Sequence, residues 1–196
     1  MPKPLPLTQH AHQIIRAHLT PDDYAIDATA GNGHDTVFLA RHAAHVFAFD
    51  IQKQAIKNTK KRLHDEGFSN KVTLYHRSHQ YLAEAIPLQF HQRIKVITFN
   101  LGYLPGSDKQ IITQAESTLK ALGASLQLLA PNGLITLLIY PGHSGGDTEY
   151  LSIQHWLSQS SEQLHINIIE SARIRPGSPL LYVLQKTTFN NTLDKP

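Results

Sequence analysis

An α/β fold is predicted for this chain of 196 residues: a seven-stranded, mostly parallel sheet with helices on both faces and one antiparallel strand. Three observations carry the prediction. Short β-branched or apolar runs alternate with segments of helical spacing along most of the chain, as in βαβ units. The run RIKVITF (93–99) is continuous and β-branched, and LITLLIY (134–140) is the most apolar of all, as in strands buried on both faces. The last two runs break the alternation. Arg175-Pro176-Gly177-Ser178-Pro179 between them is too short for a crossover, so they form an antiparallel hairpin.

Taken in order, 8–19 places Ala11, Ile14, Ile15 and Leu19 on one helical face, with Thr8 as the expected N-cap and Pro21-Asp22-Asp23 as the stop. Tyr24, Ala25 and Ile26 form a strand that ends in Asp27. Gly31-Asn32-Gly33 then turns the chain into a helix over 34–42. Glycines at such a turn permit positive φ and close approach of a ligand, and the new helix offers unpaired N–H groups, so a nucleotide-like ligand is expected there. The second strand, 45–49, is followed by Asp50. A helix over 52–66 carries Lys53, Lys57 and Lys61 four apart, beside Lys60 and Arg62. The third strand, 71–76, leads to Arg77-Ser78-His79. The fourth exits into NLGYLPG, and a long helix is expected from about 108 to 129, closed by Pro131-Asn132-Gly133. Strand 134–140, the turn PGHSGGD, a helix through Trp156 and Leu157, and strands at about 164–173 and 180–186 follow. The expected organisation is one domain over 1–196, with an N-terminal helix in 1–20 and a flexible polar tail at 187–196.

Composition narrows the chemistry. The chain has no cysteine, which excludes disulfides, thiolate metal sites and cysteine nucleophiles. No run approaches the roughly 18 apolar residues of a membrane span, and MPKPLPLTQHAHQ lacks the apolar core of a signal peptide, so a cytoplasmic, membrane-free protein is expected. The net charge of +3 tilts gently toward a polyanionic partner. A structural metal is not expected, because His10-x-His12 and His76-x-x-His79 have ligand-like spacing but no consistent carboxylate or thiolate company.

Ligands of such sheets sit outside the carboxyl ends of the strands. The candidate cofactor residues are therefore Asp27, Thr29, Gly31, Asn32 and Gly33 after the first strand, Asp50, Ile51 and Gln52 after the second, and Ser78 and His79 after the third. A carboxylate at Asp50 can accept both hydroxyls of an adenosine ribose, and Asp27 is placed for the ammonium of a methionine moiety, directly or through water. The predicted architecture is that of the Rossmann-like class I S-adenosylmethionine-dependent methyltransferases. Asn100-Leu101-Gly102-Tyr103 has the form of the Asn/Asp-Pro-Pro-Tyr tetrapeptide of methyltransferases that act on exocyclic amines. Such a nucleophile must aim its lone pair at the sulfonium methyl, so its hydrogens need acceptors. The Asn100 amide oxygen and Leu101 carbonyl can supply two, and Tyr103 can stack on a base.

DATAGNGHDTVFLA, FDIQ, Ser78-His79, NLGYLPGSDK and YPGHSGGDTE, in register from about Thr8 to Glu149, together resemble the MnmM (YtqB-like) methyltransferases. The resemblance implies methyl transfer from S-adenosylmethionine to the aminomethyl nitrogen of 5-aminomethyl-2-thiouridine at the tRNA wobble position. It implies a cofactor lined by Asp27, Asn32, Gly33, Asp50, Gln52, Ser78 and His79, and a nucleoside faced by Asn100, Leu101, Gly102 and Tyr103. The partner implied is the anticodon stem-loop of tRNA, held by a monomer or a homodimer. Lys53, Lys57, Lys60, Lys61, His143, Arg173 and Arg175 are candidate RNA contacts, and His79 or His143 a candidate proton acceptor.

Alternative functions stay open at this point. Another RNA, such as rRNA, or a small amine would suit the same chemistry. Gly142-His143-Ser144-Gly145-Gly146 matches the G-x-S-x-G elbow of serine hydrolases, with Glu149 or Glu162 as acid and His165 as base, but that reading leaves Asp50 and NLGY unexplained. A non-catalytic RNA-binding module would bind RNA and no cofactor.

Overall fold

The computed structural model describes residues 4–102, 114–141, 146–172, 175 and 177–187. Its centre is a seven-stranded sheet in the order β3-β2-β1-β4-β5-β7-β6. The strands are β1 (Tyr24–Asp27), β2 (His45–Asp50), β3 (Val72–His76), β4 (Ile94–Asn100), β5 (Leu129–Ile139), β6 (Leu164–Glu170) and β7 (Leu180–Lys186). Neighbours from β3 to β5 pair in parallel, and β7 runs antiparallel to both β5 and β6, the hairpin that the short connection requires.

Among the described residues, six α-helices accompany these strands: α1 (Leu7–His18), α2 (His34–His42), α3 (Lys53–Asp65), α4 (Leu82–Ala85), α5 (Ala115–Leu128) and α6 (Gly146–Gln159). Side chains alternate along the strands, so one sheet builds two apolar layers. Ile97, Phe99, Ile135 and Leu137 face Leu82, Leu122, Ile153 and Leu157 of α4, α5 and α6. Val96, Leu134, Leu138 and Leu181 face Leu7, Ala11, Ile15 and Leu39 of α1 and α2. Among the described residues, no helix is long and apolar enough to cross a membrane.

The structure changes three local expectations. Thr8 is not an N-cap: α1 starts at Leu7 behind Pro6, whose fixed φ of −59° suits a helix entrance. Pro131-Asn132-Gly133 does not separate helix from strand. Ile94 pairs with Leu129 and Val96 with Leu134, so the tripeptide bulges out within β5. Asn132 there has φ of 57°, and a Cβ on Gly133 would stand 2.8 Å from the Ala130 carbonyl oxygen, which is why the turn-like sequence persists inside a strand. The helix α4, between β3 and β4, has too few residues for a periodic signal. Of the long helix expected from about 108, the first residues lie outside the described ones, and α5 begins at Ala115.

Candidate active site at the carboxyl edge of the sheet

The exits of β1, β2, β3 and β4 meet at one edge. Ala28 N–H donates to the Thr98 carbonyl at 2.9 Å, Ala30 N–H to the Phe49 carbonyl at 2.8 Å, and Asn100 N–H to Thr29 Oγ1 at 2.8 Å, so the β1 loop is stitched to both neighbouring strands. The sequence-predicted cofactor residues after β1, β2 and β3 converge on this edge with Asn100, Leu101 and Gly102.

Asp27 is fully buried and both of its oxygens are engaged. Oδ1 accepts from Thr29 N–H at 3.1 Å and Oδ2 from the Thr36 hydroxyl at 2.6 Å. It therefore holds the loop that turns into α2. Burial foremost, then the negative charge of Asp35, pushes its carboxyl up to about 7, against the lowering effect of those two hydrogen bonds. The sign of the stability effect follows. Unfolded, this carboxyl titrates near 3.8, so between about pH 4 and 7 the folded chain holds a proton that the unfolded chain has lost. The contribution is complete below the lower value and is lost as pH rises through the upper one. Asp50, also raised mainly by burial, acts in the same direction. The ligand-free protein should lose ~2–4 kcal/mol between pH 5 and 8 through Asp27. Urea unfolding at both pH values should show Asp27→Asn removing most of that slope; parallel slopes would contradict the assignment.

Gly31 and Gly33 take φ of 54° and 80°, the left-handed region that glycine enters without penalty. Gly33 is doubly constrained, because a Cβ would meet the Thr59 Cα at 2.9 Å. Gly33→Ala should cost ~2–4 kcal/mol, through strain and displacement of α3, measurable by urea unfolding. A change below ~0.5 kcal/mol would show that α3 yields freely.

Sequence reasoning missed how α3 clamps this loop. Asn58 Nδ2 donates to Asn32 Oδ1 at 2.8 Å, Thr59 Oγ1 to the Gly31 carbonyl at 3.0 Å, and Arg62 Nε to the Asn32 carbonyl at 2.8 Å. The available signal was the spacing of Asn58 and Arg62, one helical turn apart and off the lysine stripe.

Asp50 stands at the tip of β2, half-buried. Oδ2 accepts from Gly31 N–H at 2.9 Å and Oδ1 from Gln52 N–H at 2.8 Å. Each oxygen retains lone-pair capacity for a further donor, as ribose hydroxyls would supply. Ile51 beside it is an exposed apolar side chain, suited to the face of a purine. Ser78 caps the 3-10 turn at the end of β3 by accepting from Gln80 N–H. His79 is buried against Phe99, with ring centroids 5.8 Å apart, and its Nδ1 lies 3.2 Å from the Ala28 carbonyl. A carbonyl only accepts, so Nδ1 carries the hydrogen and, among the described residues, Nε2 is a buried acceptor without a partner. The carboxylate and the apolar platform fit an adenosine, which offers hydroxyls and a flat face. Burial lowers the His79 pKa to about 4, which makes it a weak proton acceptor for an alkylammonium.

At the β4 exit, Leu101 N–H donates to the Leu138 carbonyl at 2.9 Å and Gly102 takes φ of 142°, so the chain turns sharply after Asn100. Tyr103, His143 and Arg173 lie outside the described residues, as does Gly142-His143-Ser144-Gly145. Lys53, Lys57, Lys60 and Lys61 are exposed on α3 and Arg175 is exposed near β7. Of the groups a hydrolase would need, Glu149 is buried, accepting from the Thr118 hydroxyl at 2.7 Å, and His165 lies exposed on the edge strand β6. Among the described residues, no three His, Asp or Glu side chains are grouped to hold a metal. The histidines with ligand-like spacing face other partners: His12 meets Asp35, and His76 meets the Ile51 carbonyl.

Residues 46–185 match a family described as "Putative rRNA methylase". A chloroplastic tRNA (mnm(5)s(2)U34)-methyltransferase of Arabidopsis thaliana is 34% identical over 200 residues, covering 91% of this chain and 69% of the relative. A Clostridium thermocellum crystal structure described in the same terms as the family superposes with a TM-score of 0.87 at 34% identity, covering 95% of this chain and all of that one. A Streptococcus mutans "putative methyltransferase" in complex with SAH superposes at 0.83 and 29% identity, covering 94% and 99% of the two chains.

Proposed function

We propose that this chain, which belongs to the rRNA-methylase family of S-adenosylmethionine-dependent methyltransferases, methylates the aminomethyl nitrogen of 5-aminomethyl-2-thiouridine at the wobble position of tRNA. The observation that carries the reading is the placement of Asn100-Leu101-Gly102 at the β4 exit, fastened through Thr29 to the loop between Asp27 and Gly33. The relative named for the mnm(5)s(2)U34 nucleoside supports the same substrate.

Asp50 takes the ribose, Ile51 and His79 the base, and the Gly31-Asn32-Gly33 turn runs along the cofactor. When bound, S-adenosylmethionine supplies a methyl group on a sulfonium, whose C–S bond breaks as the C–N bond to the substrate amine forms. Asn100 Oδ1 and the Leu101 carbonyl accept the two hydrogens of the neutral amine and aim its lone pair. Most of the acceleration is positioning, supplemented by acceptors that face the positive charge growing on nitrogen. The hydrogen bond from Leu101 N–H to Leu138 fixes the peptide that carries one of these acceptors.

The domain itself, as a monomer or a homodimer, holds the anticodon stem-loop. Lys53, Lys57, Lys60, Lys61 and Arg175 contact phosphates, which orients RNA without reading sequence. A wobble base in a single-stranded loop is splayed out at low cost. Nucleoside mass spectrometry on a strain lacking this gene tests the reading. Accumulation of the unmethylated aminomethyl nucleoside in tRNA supports it. An unchanged tRNA profile with a methyl group missing from rRNA would transfer the activity to the substrate in the family's description.

A further inference from the structure

The same edge holds a second pair of side chains that the motifs leave without a role. His12, on α1, meets Asp35, in the first turn of α2, with Nε2 2.7 Å from Oδ1. Its ring lies flat on Phe38, centroids 3.8 Å apart and planes 1° apart. Two contacts thus hold one imidazole in one orientation. A carboxylate only accepts, so Nε2 carries the hydrogen and Nδ1 keeps the lone pair. Among the described residues, Nδ1 has no hydrogen-bond partner.

His12 and Asp35 line one cavity with Asn100, Thr98 and Thr136. On this face β4 and β5 otherwise present Val96, Leu134 and Leu138 to α1, yet here Thr136 Oγ1 donates to Thr98 Oγ1 at 2.9 Å. The floor is polar where plain core packing would make it aliphatic. A fixed imidazole and Asn100 therefore share one cavity of about 10 Å³, room for a single water.

Resting on the substrate reading above, the chemistry lacks one component. A primary alkylamine is protonated near neutral pH and has no lone pair to offer until a proton leaves. Asn100 and the Leu101 carbonyl accept hydrogen bonds but are not bases, and the buried His79 is a weak one. We propose that His12, oriented by Asp35, is the base that deprotonates the substrate ammonium through one water held in this cavity. The N–H bond breaks with its electron pair left on the substrate nitrogen, and the proton bonds to His12 Nδ1. Asp35 faces the imidazolium so formed, and the proton passes to solvent from a side chain that is 30% exposed.

The charged and titratable surroundings are few. Asp27 of β1 and Tyr140 after β5 both sense the charge of Asp35, and His42 of α2 lies against Phe38 at 4.8 Å between centroids. From β4, β5 and β7 the cavity receives Thr98, Asn100, Thr136, Leu138 and Leu181, which carry no charge.

The test uses the full chain with S-adenosylmethionine and tRNA carrying 5-aminomethyl-2-thiouridine. His12→Gln should lower the single-turnover rate at pH 7 by ~10²-fold, with the deficit closing as pH rises and the substrate sheds its own proton. Asp35→Asn should shift the profile in the same sense. Calorimetric affinity of His12→Gln for S-adenosylmethionine and its Tm should stay near wild type, and added imidazole should restore part of the rate of His12→Ala. Wild-type activity with an unchanged rate and pH profile in His12→Gln overturns this inference alone. So does a loss confined to Tm or cofactor affinity, the mark of a packing residue. Inactivity of the wild-type protein on this tRNA overturns the substrate reading and the inference with it.

Discussion

Asp50→Ala should weaken S-adenosylmethionine binding by about 100-fold or more in calorimetry, with the fold retained. The carboxylate has two duties at this site. It receives Gly31 N–H and Gln52 N–H, which sets the loop after β1 relative to the exit of β2. On the proposed reading it would also offer the remaining lone pairs to the ribose. Hydrogen bonds to a charged group are worth ~1.5–3 kcal/mol each, so two to the ligand account for a loss of that order before any disorder in the loop is counted. Removing Asp50 also relieves the burial that raises its pKa, so unfolding stability should fall little. Affinity within threefold of wild type would show that the adenosine is held elsewhere.

Asn100→Ala should separate chemistry from cofactor binding. Its backbone N–H is committed to Thr29 Oγ1 and survives the substitution, so the loop stays in place. What is lost is the side-chain oxygen proposed to orient the amine. Losing an oriented acceptor at a reacting nitrogen costs ~10²–10³ in kcat, while S-adenosylmethionine affinity should change less than about threefold. Steady-state kinetics on tRNA, paired with calorimetry, distinguishes the outcomes. A variant that methylates at the wild-type rate, or that loses cofactor affinity as fully as rate, removes Asn100 from the role assigned to it.

The sheet was legible in the sequence because its signals are local. RIKVITF and LITLLIY announce buried strands, and the short link before Leu180 forces the hairpin that makes β7 antiparallel. Strand ends locate the site in turn, since Asp27 and Asp50 close β1 and β2 and Asn100 closes β4. Three things were hidden because they depend on residues distant in sequence. Pro131-Asn132-Gly133 reads as a turn, and only pairing with both ends of Ile94 to Val96 makes it a bulge. Asn58, Thr59 and Arg62 look like part of a solvated helix until α3 is laid beside the glycine loop. His12 and Asp35 belong to different helices, and no spacing rule relates them. His79 illustrates a further limit: its position after β3 was plain, but the burial that weakens it as a base is a property of the packed site.

Asp50, the Gly31-Asn32-Gly33 turn and Asn100 are proposed to form the edge at which an aminomethyl nitrogen of tRNA is methylated. The most direct measurement incubates the purified chain with S-adenosylmethionine and tRNA whose wobble nucleoside is 5-aminomethyl-2-thiouridine, then digests the RNA and weighs its nucleosides. That nucleoside should be converted to a species heavier by one methylene, with fragmentation placing the new carbon on the side-chain nitrogen. Recovery of the aminomethyl nucleoside unchanged, or a methyl group on any other atom, would contradict it.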